Sequence, residues 1–135
     1  MQPFLKYVLL WLLPFFLHAD FVNWLGDYNV AYKRALQEKK PLLVLVVKPG
    51  NSLSSKIIHS TFMNKPYVNR INREMIPVIV TYEGVLSYPI EMYYTTVFPT
   101  LFFVDSSREV SLTEPVYGDA ITVKTVETKM IELFK

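Results

Sequence analysis

The residues best suited to catalysis are the serines of segment 51–56 (NSLSSK) and the histidine at position 59. Ser55 and His59 are four positions apart, so they share one face of a helix and resemble the start of a Ser–His hydrolase pair. No acid has an obvious orienting position, and no nucleophile-elbow motif is present. Lys56 does not complete a Ser-x-x-Lys motif, because Leu53 stands three positions before it. Helix capping is therefore the preferred interpretation of Ser52, Ser54 and Ser55, with Asn51 as a further candidate cap, and a serine-based enzyme is the alternative.

The composition excludes several classes of site. The chain has no cysteine, so thiol–disulfide exchange, iron–sulfur clusters and cysteine zinc sites are impossible. Two histidines and no Asp-rich loop give no reason to expect a metal or a cofactor. The net charge is only +2 and the basic residues are scattered, which argues against a nucleic-acid interface.

The first 19 residues are typical of a secretory signal. Lys6 supplies the positive start, and the apolar run from Val8 to Leu17 is too short to span a bilayer comfortably. Ala19 suits a cleavage position, whereas the larger Leu17 leaves an uncleaved N-terminal anchor as the alternative. We therefore expect a periplasmic or otherwise exported domain at 20–135, with membrane contact only through the N-terminal segment.

The remaining sequence alternates helix and strand patterns. Helices are predicted at 24–36, 52–63, 67–74, the later half of 83–95 and 123–134, and strands at 42–47, 75–82, 97–105 and 109–113. The aliphatic run 42–47 is typical of a central strand that is covered on both faces. Ser106 and Ser107 predict a tight turn and hence an antiparallel final pair of strands. The fold class is therefore α/β, with a mixed sheet of about four strands and helices on both faces.

With these elements in place, the chain resembles the thioredoxin-like superfamily, especially its exported members. Three segments carry the resemblance: the opening helix followed by Lys39-Lys40-Pro41, the turn and helix after the strand at 42–47, and the run from Phe98 to Asp105. In the family, the second segment holds Cys-x-x-Cys-Lys, and the third begins with a cis-proline. The resemblance covers nearly all of the chain after the signal.

Carried over by this resemblance, the redox cysteines fall on Ser52 and Ser55, with Lys56 after them. The tryptophan that often precedes the first cysteine falls on Asn51, and a buried acid found in some members falls on Val46. Nucleophile and proton-handling group are both missing, which implies that redox function has been abandoned and that Ser52, Ser55 and Lys56 are vestigial.

The resemblance also implies a peptide-binding face. In the family, the residue before the cis-proline offers its backbone to an extended peptide, and that residue is Phe98 here. Main-chain pairing needs no cysteine, so Phe98, Pro99, Asn51 and Ser52 are the expected contacts for a polypeptide partner. Tyr88, Tyr93 and Tyr94 extend this aromatic surface, although some of them must be core.

Several alternatives stay open at this point. Phe98 either faces a partner or plugs the groove. Ser52 resembles the serine of glutathione transferases, which suggests a glutathione-linked enzyme, although the second helical domain of those enzymes has no counterpart here. A purely structural accessory domain is the third possibility.

Overall fold

The computed structural model describes residues 21–82 and 88–135. The expected signal or anchor at 1–19 lies outside them. In chain order the elements are α1 (Tyr28–Glu38), β1 (Leu42–Val47), α2 (Ser52–Thr61), α3 (Tyr67–Glu74), β2 (Ile76–Thr81), β3 (Thr100–Asp105), β4 (Val110–Ser111), β5 (Val116–Tyr117), a 3₁₀ turn (Gly118–Ala120) and α4 (Val123–Leu133). None of the helices in the described ranges is long and apolar enough to cross a membrane.

The strands form one mixed sheet in the order β2-β1-β3-β4, and β5 also pairs with β3. β1 and β2 are parallel, with Val44 opposite Val78. The pairings of β3 with β1, β4 and β5 are antiparallel. The predicted mixed sheet and its antiparallel final pair are confirmed. β5 was not predicted, since two residues are too few to show an alternating pattern.

Each face of the sheet is covered by a separate hydrophobic cluster. On one face, side chains of α2, α3 and α4 pack on alternate strand residues such as Leu43, Leu45 and Phe103. On the other, α1 contributes Ala31 and Ala35 to a cluster with the opposite strand positions. β1 is almost wholly buried, as expected for a doubly covered strand.

The first helix begins later than its apolar pattern suggests. It starts at Tyr28 because the Asp27 side chain accepts hydrogen bonds from the N–H groups of Asn29 and Val30 and caps it. The predicted start at Trp24 is therefore wrong. Trp24 lies in the preceding extended segment and packs edge-on against Phe62, with ring centroids 5.1 Å apart.

Two further expectations need correction. Residues 88–95 contain a turn and no helix: the N–H groups of Met92 and Tyr93 both donate to the Pro89 carbonyl, and this single turn does not continue. The connection from β3 to β4 has four residues, 106–109, and not two. The Asp105 carboxylate orders it by accepting from the backbone of Ser107 and from Arg108.

The outer edge of β2 is covered by the chain that leads into α1. The Leu25 N–H donates to the Pro77 carbonyl, and the Leu25 carbonyl accepts from Ile79 N–H, both at 2.9 Å. This forms a parallel bridge between Leu25 and Val78. The opposite side of the sheet ends in the two-residue strands β4 and β5.

Candidate functional site

Asn51 joins the start of α2 to the loop before β3. Its Oδ1 accepts from the Ser54 N–H at 3.1 Å, which makes Asn51 the N-cap of the helix. The prediction that a serine caps this helix is therefore wrong. Its Nδ2 donates to the Phe98 carbonyl at 3.4 Å. One amide side chain therefore holds the two expected parts of the site together. We name the surface formed by residues 51–55 and the Phe98–Pro99 loop the loop–helix face.

The peptide bond between Phe98 and Pro99 is cis. Pro99 is buried, and its carbonyl accepts from the Gly118 N–H at 2.7 Å, which fixes the loop beside β5. The Phe98 ring is half-buried, with its centroid 5.1 Å from that of Tyr82. Lys48 Nζ lies 5.8 Å from the same ring. The backbone of Phe98 thus faces Asn51, while its ring packs with Tyr82 and Lys48.

The residues expected at the vestigial redox positions are on the surface. Ser52, Ser55 and Lys56 are all exposed. The His59 imidazole does not hydrogen-bond to the Ser55 hydroxyl. Its Nδ1 donates to the Ser55 backbone carbonyl at 2.8 Å instead. In this geometry His59 therefore does not act as the base that a serine nucleophile at Ser55 would need.

Ser54 is the feature that sequence reasoning missed. Its side chain is only 5% exposed, and its Oγ is the one buried side-chain polar atom without a hydrogen-bond partner in the described part of the chain. Such a group is costly in a folded protein, and each case calls for an explanation. No sequence signal distinguishes this burial, because Ser52, Ser54 and Ser55 have the same side chain.

Exposed apolar side chains flank the loop. Tyr94 is 66% exposed, Val97 45% and Tyr117 47%. Tyr117 pairs with Thr100 at the start of β3, and Val97 lies against Gly118. Of the three tyrosines expected to extend the face, Tyr94 is exposed, Tyr88 is half-buried and Tyr93 is core.

The residues with a shifted pKa are not part of the loop–helix face. Burial raises the pKa of Tyr93, whose hydroxyl is 2.8 Å from that of Tyr28. Hydrogen bonds from Ser107 and Arg108 lower the pKa of Asp105 to about 2. Among residues 21–82 and 88–135, no group of three or more His, Asp or Glu side chains could hold a metal ion.

Comparison with known proteins agrees with this architecture. No family model matches the sequence, and no curated protein matches it either. Among solved structures, a thioredoxin from Thermus thermophilus superposes with a TM-score of 0.65 at 13% identity, covering 83% of this chain and 86% of that one. A putative disulphide-isomerase from Bacteroides thetaiotaomicron gives 0.66 at 20% identity, covering 84% and 97%. A thioredoxin from Trichomonas vaginalis gives 0.58 at 18% identity, covering 87% and 100%.

These similarities extend over most of each chain, and they match the mixed sheet with helices on both faces described above. At sequence identities of 13–20%, these similarities establish the fold alone. The chain therefore has the thioredoxin-like fold.

Proposed function

We propose that this chain is an exported, redox-inactive thioredoxin-fold domain that binds a polypeptide partner at the loop–helix face. The observation that carries the proposal is the arrangement of Phe98, whose backbone lies at the start of α2 beside exposed apolar side chains. An extended peptide binds by main-chain hydrogen bonds and gains specificity from pockets and apolar contacts alongside. The function is that of an adaptor, a chaperone-like factor or an assembly subunit.

The absence of cysteine supports the redox-inactive part of the proposal, since no residue of the chain can form a mixed disulfide. Tyr94, Val97 and Tyr117 support the binding part. Clustered apolar side chains on a surface mark interaction sites more often than single ones do. Tyrosine in particular is enriched at interfaces, because it combines apolar area with a polar end.

Photo-crosslinking from defined positions tests the binding site. A photoreactive amino acid replaces Tyr94 or Tyr117 in the exported protein, and a matched variant carries it at Ile131, which is also exposed but lies on α4. The proposal expects the same polypeptide to be captured from Tyr94 and Tyr117 and not from Ile131. Equal capture from all three positions would place the interaction elsewhere or make it nonspecific.

Export is tested separately. Cell fractionation with N-terminal sequencing of the recovered chain is expected to find the protein outside the cytoplasm. A chain that begins after residue 19 indicates cleavage, and an intact Met1 indicates an anchor. Recovery from the cytoplasm alone would contradict the exported part of the proposal while leaving the binding face open.

A further inference from the structure

A small cavity of about 360 Å³ opens at the start of α2. Its polar lining comes from Lys48, Asn51, Ser52, Ser54 and Ser55, and no acidic residue takes part. Lys48 is exposed, and among the described residues it forms no ion pair. The cavity therefore has one cationic side chain, several hydrogen-bonding groups and no charge that would repel an anion.

The backbone adds to this positive character. The first N–H groups of a helix have no partner within the helix. The Asn51 side chain accepts only from Ser54, which leaves the N–H groups of Ser52 and Leu53 without a side-chain cap. The first turn of α2 carries no acidic residue that could offset the partial positive charge of the helix end. The backbone and the side chains thus both favour a negatively charged ligand.

Ser54 provides the independent observation. Ser54 is among the residues that line the cavity, it is only 5% exposed, and its hydroxyl has no hydrogen-bond partner among the described residues. Ser54 is the third residue of α2, so it shares the first turn with Ser52 and Leu53, whose N–H groups have no side-chain cap. A buried hydroxyl without a partner, beside the N-terminus of a helix, is a hydrogen-bond donor suited to an anion, and keeping it buried costs stability.

We propose that this cavity binds a carboxylate of the polypeptide partner, held by the first turn of α2, Lys48 and the Ser54 hydroxyl. The inference rests on the proposed function, because the Asn51 amide connects the cavity to the Phe98 carbonyl over 3.4 Å. A segment that pairs with the backbone of Phe98 brings a neighbouring side chain or its own chain end to the start of α2. The partner therefore presents a C-terminus, an Asp or a Glu at this point.

Small probes test the cavity without any partner. The backbone amide signals of Ser52, Leu53 and Ser54 are followed by NMR while N-acetylglycine, as a chain-end carboxylate, or N-acetylglutamate α-amide, as a side-chain carboxylate, is added. N-acetylglycinamide is the uncharged match. We expect saturable shifts with at least one carboxylate and none with the amide, and the tighter probe identifies the source. No shift, or an equal shift with the amide, would overturn the proposal.

Variants assign the binding groups. Ser54→Ala is expected to weaken carboxylate binding about tenfold, because a hydrogen bond to a charged group is lost. Lys48→Gln is expected to weaken it about threefold, since the lost charge is exposed. Lys33→Gln removes an exposed charge from α1 and serves as the control, with unchanged affinity expected. Equal affinity in all three variants would place the carboxylate elsewhere.

The two proposals fail in different ways. If the small carboxylates do not bind but Tyr94 and Tyr117 still capture a common partner, only the carboxylate site is lost. If the probes bind and the crosslinks show no common partner, the polypeptide-binding function is wrong, and the cavity is left without a polypeptide to supply its carboxylate.

Discussion

The buried hydroxyl of Ser54 predicts that a substitution in the candidate site increases stability. Ser54→Ala removes a polar atom that is dehydrated in the folded state and has no hydrogen-bond partner among the described residues. Leaving such an atom unsatisfied costs about 1–3 kcal/mol, and the alanine variant is expected to recover that amount. The hydrogen bond that caps α2 is kept, because Asn51 accepts it from the backbone of residue 54.

The expected shift is large enough to measure. For a domain of about 115 residues, 1 kcal/mol corresponds to about 4 °C in Tm, so the variant is expected to melt about 4–12 °C higher. Thermal unfolding followed by circular dichroism gives Tm, and chemical unfolding with an unchanged m-value confirms that the gain is in stability. The same variant is expected to bind the carboxylate probes more weakly although it is more stable, so the weaker binding is not caused by a loss of folding.

Ser55→Ala is the matched control, since it makes the same chemical change one position later on an exposed side chain. It carries the same change in helix propensity, and its effect is expected to stay within about 0.5 kcal/mol. If Ser54→Ala gains no more than this control, or is less stable than the parent, the hydroxyl has a partner and the reasoning is wrong.

Further outcomes follow from other parts of the fold. Cysteines at both Ser52 and Ser55 are expected to form a local disulfide on oxidation, and two titratable thiols in the folded, oxidised variant would contradict this assignment of the vestigial pair. Burial raises the pKa of Tyr93, so stability is expected to fall above about pH 10, where only the unfolded chain releases this proton. Unfolding followed by circular dichroism against pH checks this, and Tyr93→Phe should reduce the slope. Gly118→Ala is expected to cost at least about 1 kcal/mol in chemical unfolding, because φ is +55° and the new Cβ would meet Val97 Cγ1 at 3.2 Å; unchanged stability would contradict it.

The helices and strands that follow a regular pattern of apolar residues were predictable from the sequence. The aliphatic run of β1 and the apolar positions of α4, such as Val126 and Met130, show which faces are buried. The predictions that failed concern features that depend on single residues. Asp27 determines where α1 begins, and the turn that closes on the Pro89 carbonyl does not continue into a helix. The pattern of apolar residues does not show which single residue among its neighbours will start or end a helix.

The candidate site shows the same division. Asn51 was expected as a possible cap because of its residue type, and as a binding residue because of the resemblance to the thioredoxin-like superfamily. The burial of Ser54 and the exposure of Ser52 and Ser55 depend on how α2 rotates against the sheet. The four adjacent residues Ser52–Ser55 are three serines and one leucine, and this pattern leaves the rotation undetermined. Tyr93 and Tyr94 illustrate the same limit, since one is core and its neighbour is surface.

The bridge between Leu25 and Val78 has a consequence for self-association. It covers the outer edge of β2 with the chain's own backbone, and the far side of the sheet ends in strands of only two residues. Long open edges are where copies of a protein join into fibrils. The Leu25 bridge therefore leaves less unpaired backbone on the β2 side to which a second copy or an extended peptide could add.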